Sequence, residues 1–374
     1  MPLPASVLLR GTAAGLWLLL LLLPWNIRAQ DLVNDDPVRL EFGVPLRPST
    51  IPECPSHISP APPPRLPTVG LVLSGGGARG LSQVGVLLAL EEAGIRPDFV
   101  VGTSIGAIVG GLYAAGYTPE RLHRVVRDMD WQDILRLTDE ANRSALSVDQ
   151  KPVSDRSIFT LRFDGLQPVL PVSVSNGQRL TNALNALALQ GIRRSTDFDS
   201  LMIPFRAVAT DLLHGRRVVL GSGSLAEAMR ASSTIPVMYA AVARDSMLLV
   251  DGGLVSNIPV DIAEDRGCDI IIAVNTISPL RTATQISNPL ETLDQVFNVM
   301  MREKLEEQTA GADFLIEPDL GTIPGSAFDH ADSLIAAGYA AGKHVAAAIR
   351  DSIITMAVRS MPRPGSCLLY TSPS

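Results

Sequence analysis

The sequence predicts an α/β domain built around a mainly parallel sheet, and two observations support this. Apolar runs at Val69–Leu73 and Asp98–Gly102 have the length of buried strands and stand beside glycine or proline. Apolar residues at helical spacing follow each run, at 84–88 and at 105–112. A strand, a helix and a second strand in this order form a crossover that makes the two strands parallel.

Composition limits the possible classes of function. The 374 residues are 46% hydrophobic and 18% charged, which excludes a disordered chain. With 31 basic and 38 acidic residues the net charge is −7, so we expect no nucleic-acid partner. Three scattered cysteines and five histidines without a paired motif predict no disulfide framework and no metal site.

Further apolar runs predict the remaining strands, and periodic stretches between them predict helices. Strands are expected at Phe205–Ala209, Val218–Leu220, Met247–Val250, Ile270–Val274 and Phe314–Ile316. Helices are expected at Leu180–Leu189, Leu225–Ala231, Pro259–Arg266 and Ser333–Ile349. The folded domain is therefore predicted over residues 68–350.

Three stretches lack a regular pattern. Nine of the 23 residues from 45 to 67 are proline, so residues 30–67 are predicted to form an extended linker. Residues 138–175 carry a hairpin signal at Asp164-Gly165 and are expected to form a flap over or beside the sheet. Residues 351–374 are predicted to be a C-terminal tail.

The amino-terminal residues predict export. Arg10 precedes an uninterrupted apolar run at Leu16–Leu23, Pro24 ends the run, and Ala29 is a small residue suited to cleavage. Residues 1–29 are therefore interpreted as a signal peptide, with the mature protein in the periplasm, at the outer-membrane surface or secreted. The alternative interpretation is an uncleaved membrane anchor.

A G-x-S-x-G motif follows the second predicted strand. Gly102, Ser104 and Gly106 stand where this strand turns into a helix. At such a junction the serine occupies a nucleophile elbow, and glycines flank it because a Cβ there would collide. The N-terminus of the following helix favours negative charge beside the serine. Ser104 is therefore the candidate nucleophile.

A glycine-rich loop follows the first predicted strand; its residues are Gly75, Gly76, Gly77, Ala78, Arg79 and Gly80. The spacing also satisfies a dinucleotide-binding fingerprint, but the acid nearest to the second strand, Asp98, stands at its beginning rather than at its carboxyl end. A phosphate-binding P-loop is disfavoured because no Gly-Lys-Ser/Thr follows. The favoured interpretation is an oxyanion hole whose backbone N–H groups lie beside Ser104.

A serine nucleophile needs a base, and Asp251 is the best candidate. It ends an apolar run and precedes Gly252 and Gly253, so its carboxylate is expected at the same sheet edge as Ser104. The alternative interpretation is a plain Asp-Gly-Gly turn. The competing catalytic hypothesis is a triad that uses a histidine, for which His214, on a turn after a strand, is the strongest candidate.

Together these motifs resemble the patatin-like phospholipase family, whose pattern is a glycine-rich oxyanion loop, a G-x-S-x-G serine and a distant D-G-A/G aspartate. The resemblance extends over about residues 69–348, and bacterial members are also similar at Asn257, Pro259, 209–212 and 233–236. It implies a three-layer α/β/α sandwich and a phospholipase A or broader acyl-ester hydrolase without a cofactor.

The resemblance also implies a role for each motif. Ser104 would be the nucleophile, Asp251 its proton acceptor, and the loop from Gly75 to Gly80 the oxyanion hole. Arg79 fills the usual basic position of that loop, where it would steady the loop or attract phosphate. The substrate would be a phospholipid or another acyl ester at a membrane surface. A non-catalytic lipid-binding module with the same fold is the alternative, and the intact motifs argue against it.

Export and the proline-rich linker make the arrangement most similar to patatin-type autotransporters, in which an outer-membrane barrel follows the lipase domain. About 20 residues follow the predicted domain here. The expectation is therefore either a piece of a longer protein or a free secreted lipase.

Overall fold

The computed structural model describes residues 66–136, 162–164, 167–169, 173–287 and 289–361. The predicted signal peptide, the proline-rich linker up to residue 65 and residues 362–374 lie outside the described residues. So does most of the irregular stretch 138–175, including the turn at the predicted hairpin.

Strands and helices alternate along the described residues. The strands are β1 (Val69–Leu73), β2 (Phe99–Thr103), β3 (Arg162–Asp164), β4 (Gln167–Val169), β5 (Phe205–Asp211), β6 (Arg216–Leu220), β7 (Val242–Arg244), β8 (Met247–Asp251), β9 (Ile270–Val274) and β10 (Phe314–Ile316). The helices are α1 (Ser82–Glu92), α2 (Ile105–Ala114), α3 (Pro119–Asp128), α4 (Trp131–Ile134), α5 (Gln178–Leu189), α6 (Leu225–Ser232), α7 (Val260–Asp265), α8 (Pro289–Glu303), α9 (Leu305–Thr309) and α10 (Ala331–Ser360).

One mixed sheet forms the centre of the domain, in the order β10-β9-β1-β2-β5-β8-β7, with β6 paired to β5. The strands from β10 to β5 run parallel, whereas β6, β7 and β8 pair antiparallel with their neighbours. The mainly parallel sheet predicted from the βαβ pattern is therefore confirmed.

Helices cover both faces of this sheet because its central strands are apolar on both sides. In β1, Leu71 and Leu73 pack into one core cluster, whereas Val72 packs into another. The first cluster contains residues of α1, α2, α5, α6 and α10, and the second contains residues of α7 and α8. The result is the three-layer α/β/α architecture that the resemblance implied.

The pairing around β5 brings the ends of two strands together. Residues Ala207–Asp211 pair with β6 along one edge of β5, so β2 and β8 must share the other edge. On that edge Thr103 of β2 lies opposite Val208, and Asp251 of β8 lies opposite Ala209. Because β2 is parallel and β8 antiparallel to β5, their carboxyl ends approach each other from opposite directions and meet.

Several elements differ from the expectation. The sequence did not predict β7, α4, α8 or α9, and α10 continues to Ser360, past the expected domain end at Arg350. The predicted hairpin is supported by antiparallel pairing of β3 with β4. Across the ranges that the structure describes, no helix is both long and apolar enough to cross a membrane.

Candidate active site

Ser104 occupies a strained turn between β2 and α2. Its φ is 56° and its ψ is −124°, a conformation that L-residues rarely adopt and that costs about 1–3 kcal/mol. A Cβ on Gly102 would lie 2.3 Å from the Gly106 carbonyl oxygen, and one on Gly106 would lie 2.3 Å from the Leu73 carbonyl oxygen. Both motif glycines are therefore required for the chain to make this turn.

The Ser104 hydroxyl donates a hydrogen bond to Asp251 Oδ2 at 2.6 Å. Asp251 ends β8, and its other carboxylate oxygen, Oδ1, accepts the Gly253 N–H at 2.8 Å. The backbone N–H of Asp251 donates to the Thr234 carbonyl at 2.7 Å, which fixes the residue on the α6 side. The expected proximity of Ser104 and Asp251 is thus present, although β8 delivers the aspartate from the opposite direction to β2.

Burial sets the acidity of Asp251, whose side chain is 2% exposed. Loss of hydration raises the pKa of its carboxyl to about 6, against the opposing effect of the hydrogen bonds from Ser104 and Gly253. An aspartate with its ordinary pKa is a weak base at neutral pH, whereas a pKa near 6 suits a general base working close to pH 7. The site therefore combines an ionised, basic carboxylate with a hydroxyl aimed at it.

The glycine loop lies between β1 and α1, and two of its N–H groups remain free. Gly76 and Gly77 have φ values of 154° and 58°, in a region that favours glycine. A Cβ on either would lie within 2.5 Å of a carbonyl oxygen, that of Thr276 or Gly325. Among the residues that the structure describes, no acceptor binds the N–H of Gly76 or Gly77.

Other N–H groups of the loop already donate hydrogen bonds within the protein, so the expectation that all of Gly75–Gly80 form an oxyanion hole needs correction. The Gly75 N–H donates to Asn257 Oδ1 at 3.0 Å, and the Ala78 N–H donates to the Gly325 carbonyl at 2.6 Å. Gly80 lies inside a 3₁₀ turn, and a Cβ on it would collide with Ile105 Cγ2. Its need for glycine is therefore steric.

Arg79 steadies the loop and is not free to attract phosphate. It is 6% exposed, and its guanidinium donates to four backbone carbonyls, those of Thr276, Leu320, Gly321 and Ile323. Three of these bonds tie the turn before α1 to the segment before α10, and the bond to Thr276 ties it to the segment after β9. Of the two roles expected for this arginine, the structure supports the first.

Ser232 and Asn257 contact the site, and sequence reasoning gave neither a role. Ser232 Oγ accepts the Ser104 N–H at 2.9 Å and donates to the Val208 carbonyl at 2.5 Å. The amide of Ser104 is therefore occupied by this hydroxyl. The sequence shows Ser232 only as a serine at the end of a predicted helix, beside the segment 233–236. That position does not reveal its contact with Ser104, which lies 128 residues earlier.

His214 pairs with Asp211 and not with Ser104 or Asp251. Its Nδ1 lies 2.5 Å from Asp211 Oδ2, and its side chain is 55% exposed. His123 faces Asp332 at the surface, and His330 lies near Asp329. Within the described ranges, no group of three His, Cys, Asp or Glu side chains is arranged to hold a metal ion.

Comparison with known proteins shows which family this sequence matches. Residues 71–264 match the sequence profile of the patatin-like phospholipase family. Patatin-like phospholipase domain-containing protein 6 of Mus musculus is 33% identical over 210 residues, which are 56% of this chain and 13% of that protein. An uncharacterized NTE family protein of Mycobacterium tuberculosis is 32% identical over 209 residues, 56% of this chain and 49% of that protein. The chain thus spans at most about half the length of these relatives.

Solved structures to which the chain is similar include VipD from Legionella pneumophila, with a TM-score of 0.41 and 15% identity over 76% of this chain and 67% of that one. Human GIVD cytosolic phospholipase A2 has a TM-score of 0.38 and 12% identity over 79% of this chain and 60% of that one.

Proposed function

This chain belongs to the patatin-like phospholipase family, and from that premise we propose that it is a lipid acyl-ester hydrolase of the phospholipase A type that uses Ser104 and Asp251 as a catalytic dyad. One observation supports the proposal above the others. Ser104 has a strained backbone, and its hydroxyl donates a hydrogen bond at 2.6 Å to the buried carboxylate of Asp251, whose pKa lies near 6. A structural serine needs neither the strain nor the buried charge.

In the first half-reaction Ser104 Oγ attacks the ester carbonyl carbon, and its proton moves to Asp251 Oδ2 as the new C–O bond forms. The carbonyl oxygen becomes an oxyanion, for which the free N–H groups of Gly76 and Gly77 are the donors. Collapse of this intermediate breaks the ester C–O bond. The proton passes from Asp251 to the departing alkoxide, which leaves an acyl group on Ser104.

In the second half-reaction water attacks the acyl carbon and gives its proton to Asp251. Collapse breaks the bond to Ser104 Oγ and releases the fatty acid, and the proton returns to the serine. The same carboxylate is the base twice, so no histidine is needed. A pKa near 6 lets it accept the proton in each attack and return it in each collapse.

Substitution of the nucleophile tests the proposal. Ser104→Ala should reduce ester hydrolysis to well below about a tenth of the native rate and abolish labelling by a fluorophosphonate probe, which reacts with activated serines. Ser333→Ala, on the exposed surface of α10, is the matched control and should label normally. Unchanged labelling of a folded Ser104→Ala protein would refute the assignment.

We also propose that the protein is exported and acts on lipid at a membrane surface. The support is the sequence pattern of Arg10, Leu16–Leu23 and Ala29. Expressed in a Gram-negative host, the chain should lose about its first 29 residues, which N-terminal sequencing detects. An intact Met1 on membrane-extracted protein would instead support the anchor interpretation.

A further inference from the structure

Asn257 lies where the three loops of the site meet. A Cβ on Gly75 would lie 2.7 Å from Asn257 Oδ1 and 3.0 Å from Ser104 Cβ. A Cβ on Gly253 would lie 3.2 Å from both Asn257 Oδ1 and Asp251 Oδ1. The Asn257 carboxamide is therefore close to both the nucleophile and the base, and two glycines make room for it.

The two ends of this carboxamide have different surroundings. Its Oδ1 accepts the Gly75 N–H at 3.0 Å, and because a backbone N–H requires an acceptor, this bond fixes which end is oxygen. The Nδ2 group is buried and has no hydrogen-bond partner among the described residues. An unsatisfied buried donor destabilises a fold, so each one calls for an explanation.

The backbone around Asn257 is held firmly. Gln308 Oε1, on α9, accepts the N–H of Asn257 at 2.9 Å and that of Ile258 at 2.8 Å. Its Nε2 donates to the Val255 carbonyl at 3.4 Å. Asn257 is 0% exposed, so its Nδ2 does not reach bulk solvent for a partner.

We propose that Asn257 Nδ2 is a third oxyanion donor beside the N–H groups of Gly76 and Gly77, which makes Asn257 a catalytic residue. This inference rests on the proposed esterase function. During attack by Ser104, negative charge develops on an oxygen next to this junction, and the Nδ2 donor gains its partner then. A donor left unpaired in the free enzyme and paired in the transition state raises kcat rather than substrate affinity.

The test is Asn257→Asp, which keeps an acceptor for the Gly75 N–H and removes the donor. We expect kcat to fall by about 10²–10³ with KM changed only a few-fold. Since a protonated carboxyl regains a donor, the kcat of the variant relative to the native enzyme should rise as the pH is lowered toward 5. Circular dichroism and thermal unfolding of the variant at each pH separate this recovery from the refolding of a protein that a buried charge destabilises.

Asn275→Asp is the matched control. Asn275 Oδ1 also accepts a backbone N–H, that of Ile277 at 3.1 Å, but its Nδ2 already donates to Glu317 at 2.8 Å. This substitution should leave kcat within a few-fold of the native value. Asn257→Ala is the second test variant, because it introduces no charge that could prevent folding.

The outcomes separate this inference from the proposed function. If Ser104→Ala is inactive while folded Asn257→Asp retains kcat within a few-fold, the esterase proposal stands and the role of Asn257 is refuted. If both Asn257 variants fail to fold, Asn257 is structural and the inference is likewise overturned. If Ser104→Ala remains active, the esterase proposal itself fails.

Discussion

Two buried aspartates end neighbouring strands of the sheet, Asp211 on β5 and Asp251 on β8. Asp211 lies against His214 Nδ1 at 2.5 Å and Arg216 Nε at 3.4 Å, and it accepts the Leu213 N–H at 3.2 Å. Asp251 accepts hydrogen bonds from the Ser104 hydroxyl and the Gly253 N–H, and no cationic side chain pairs with it among the described residues.

Their surroundings drive the two pKa values in opposite directions. Burial tends to raise the pKa of both carboxyls. At Asp211 the combined effect of His214, Leu213 and Arg216 outweighs burial and holds the pKa below its ordinary value. At Asp251 burial prevails, and the pKa rises to about 6. Both side chains have almost no exposed surface, yet one belongs to a structural ion cluster and the other is a candidate base, and Arg216 and His214 face only the first.

The largest expected effect is on activity. Asp251→Asn removes the proton acceptor and should lower ester turnover by about 10³-fold, close to the loss in Ser104→Ala. The Ser104→Ala/Asp251→Asn double variant should be no worse than either single variant, because residues that act as one unit are not additive. Asp211→Asn, the matched control, should keep turnover within a few-fold. Additive losses in the double variant would contradict a dyad.

The next effect is on stability, and its sign should differ between the two aspartates. The raised pKa of Asp251 means that its charged form weakens the fold, so Asp251→Asn should raise the free energy of unfolding at pH 8. The upper limit is about 3 kcal/mol, from a pKa rise of 3.8 to about 6 at about 1.4 kcal/mol per unit. The penalty grows between about pH 4 and pH 6, so the gain should vanish near pH 4.

Asp211→Asn should have the opposite effect. The lowered pKa of Asp211 means that its charged form stabilises the fold, above the ordinary aspartate pKa, and that this contribution is lost as the pH falls through the folded value. The variant should therefore unfold more easily than the native protein at pH 8. Thermal unfolding of both variants at pH 8 and pH 4 measures the two stability changes. If both variants were less stable than the native protein at pH 8, the predicted opposite signs would be wrong.

The smallest effect is expected for His214→Ala. This side chain is 55% exposed and faces Asp211, so its loss should leave ester turnover within a few-fold and cost only about 0–1 kcal/mol of stability. A collapse of turnover in a variant that is folded by circular dichroism would favour the triad hypothesis instead.

The sequence predicted the parallel part of the sheet well because its strands are buried on both faces. β1 and β9 lie at their predicted residues, since an uninterrupted apolar run between turn signals defines both ends. α8 was not predicted although it is 15 residues long. Its Phe297 and Met301 pack on the second face of the sheet, a tertiary contact that local patterns do not reveal.

The site shows the same division. Ser104 and Asp251 were chosen from local motifs, and their hydroxyl and carboxylate are hydrogen-bonded. The direction from which Asp251 arrives was not predictable, because it depends on β8 pairing antiparallel with β5. The commitment of the Ala78 N–H to Gly325, and of Arg79 to carbonyls more than 190 residues away, was equally invisible in the sequence.

In the proposed mechanism Asp251, and not a histidine, accepts the proton of Ser104. The pH dependence of kcat/KM for ester hydrolysis by His214→Ala tests it most directly, because an ordinary histidine also titrates near pH 6.5. We expect the acidic limb to remain near pH 6 in this variant, as in the native enzyme, since Asp251 produces it. Loss of that limb, or of activity at every pH in the folded variant, would show that His214 accepts the proton.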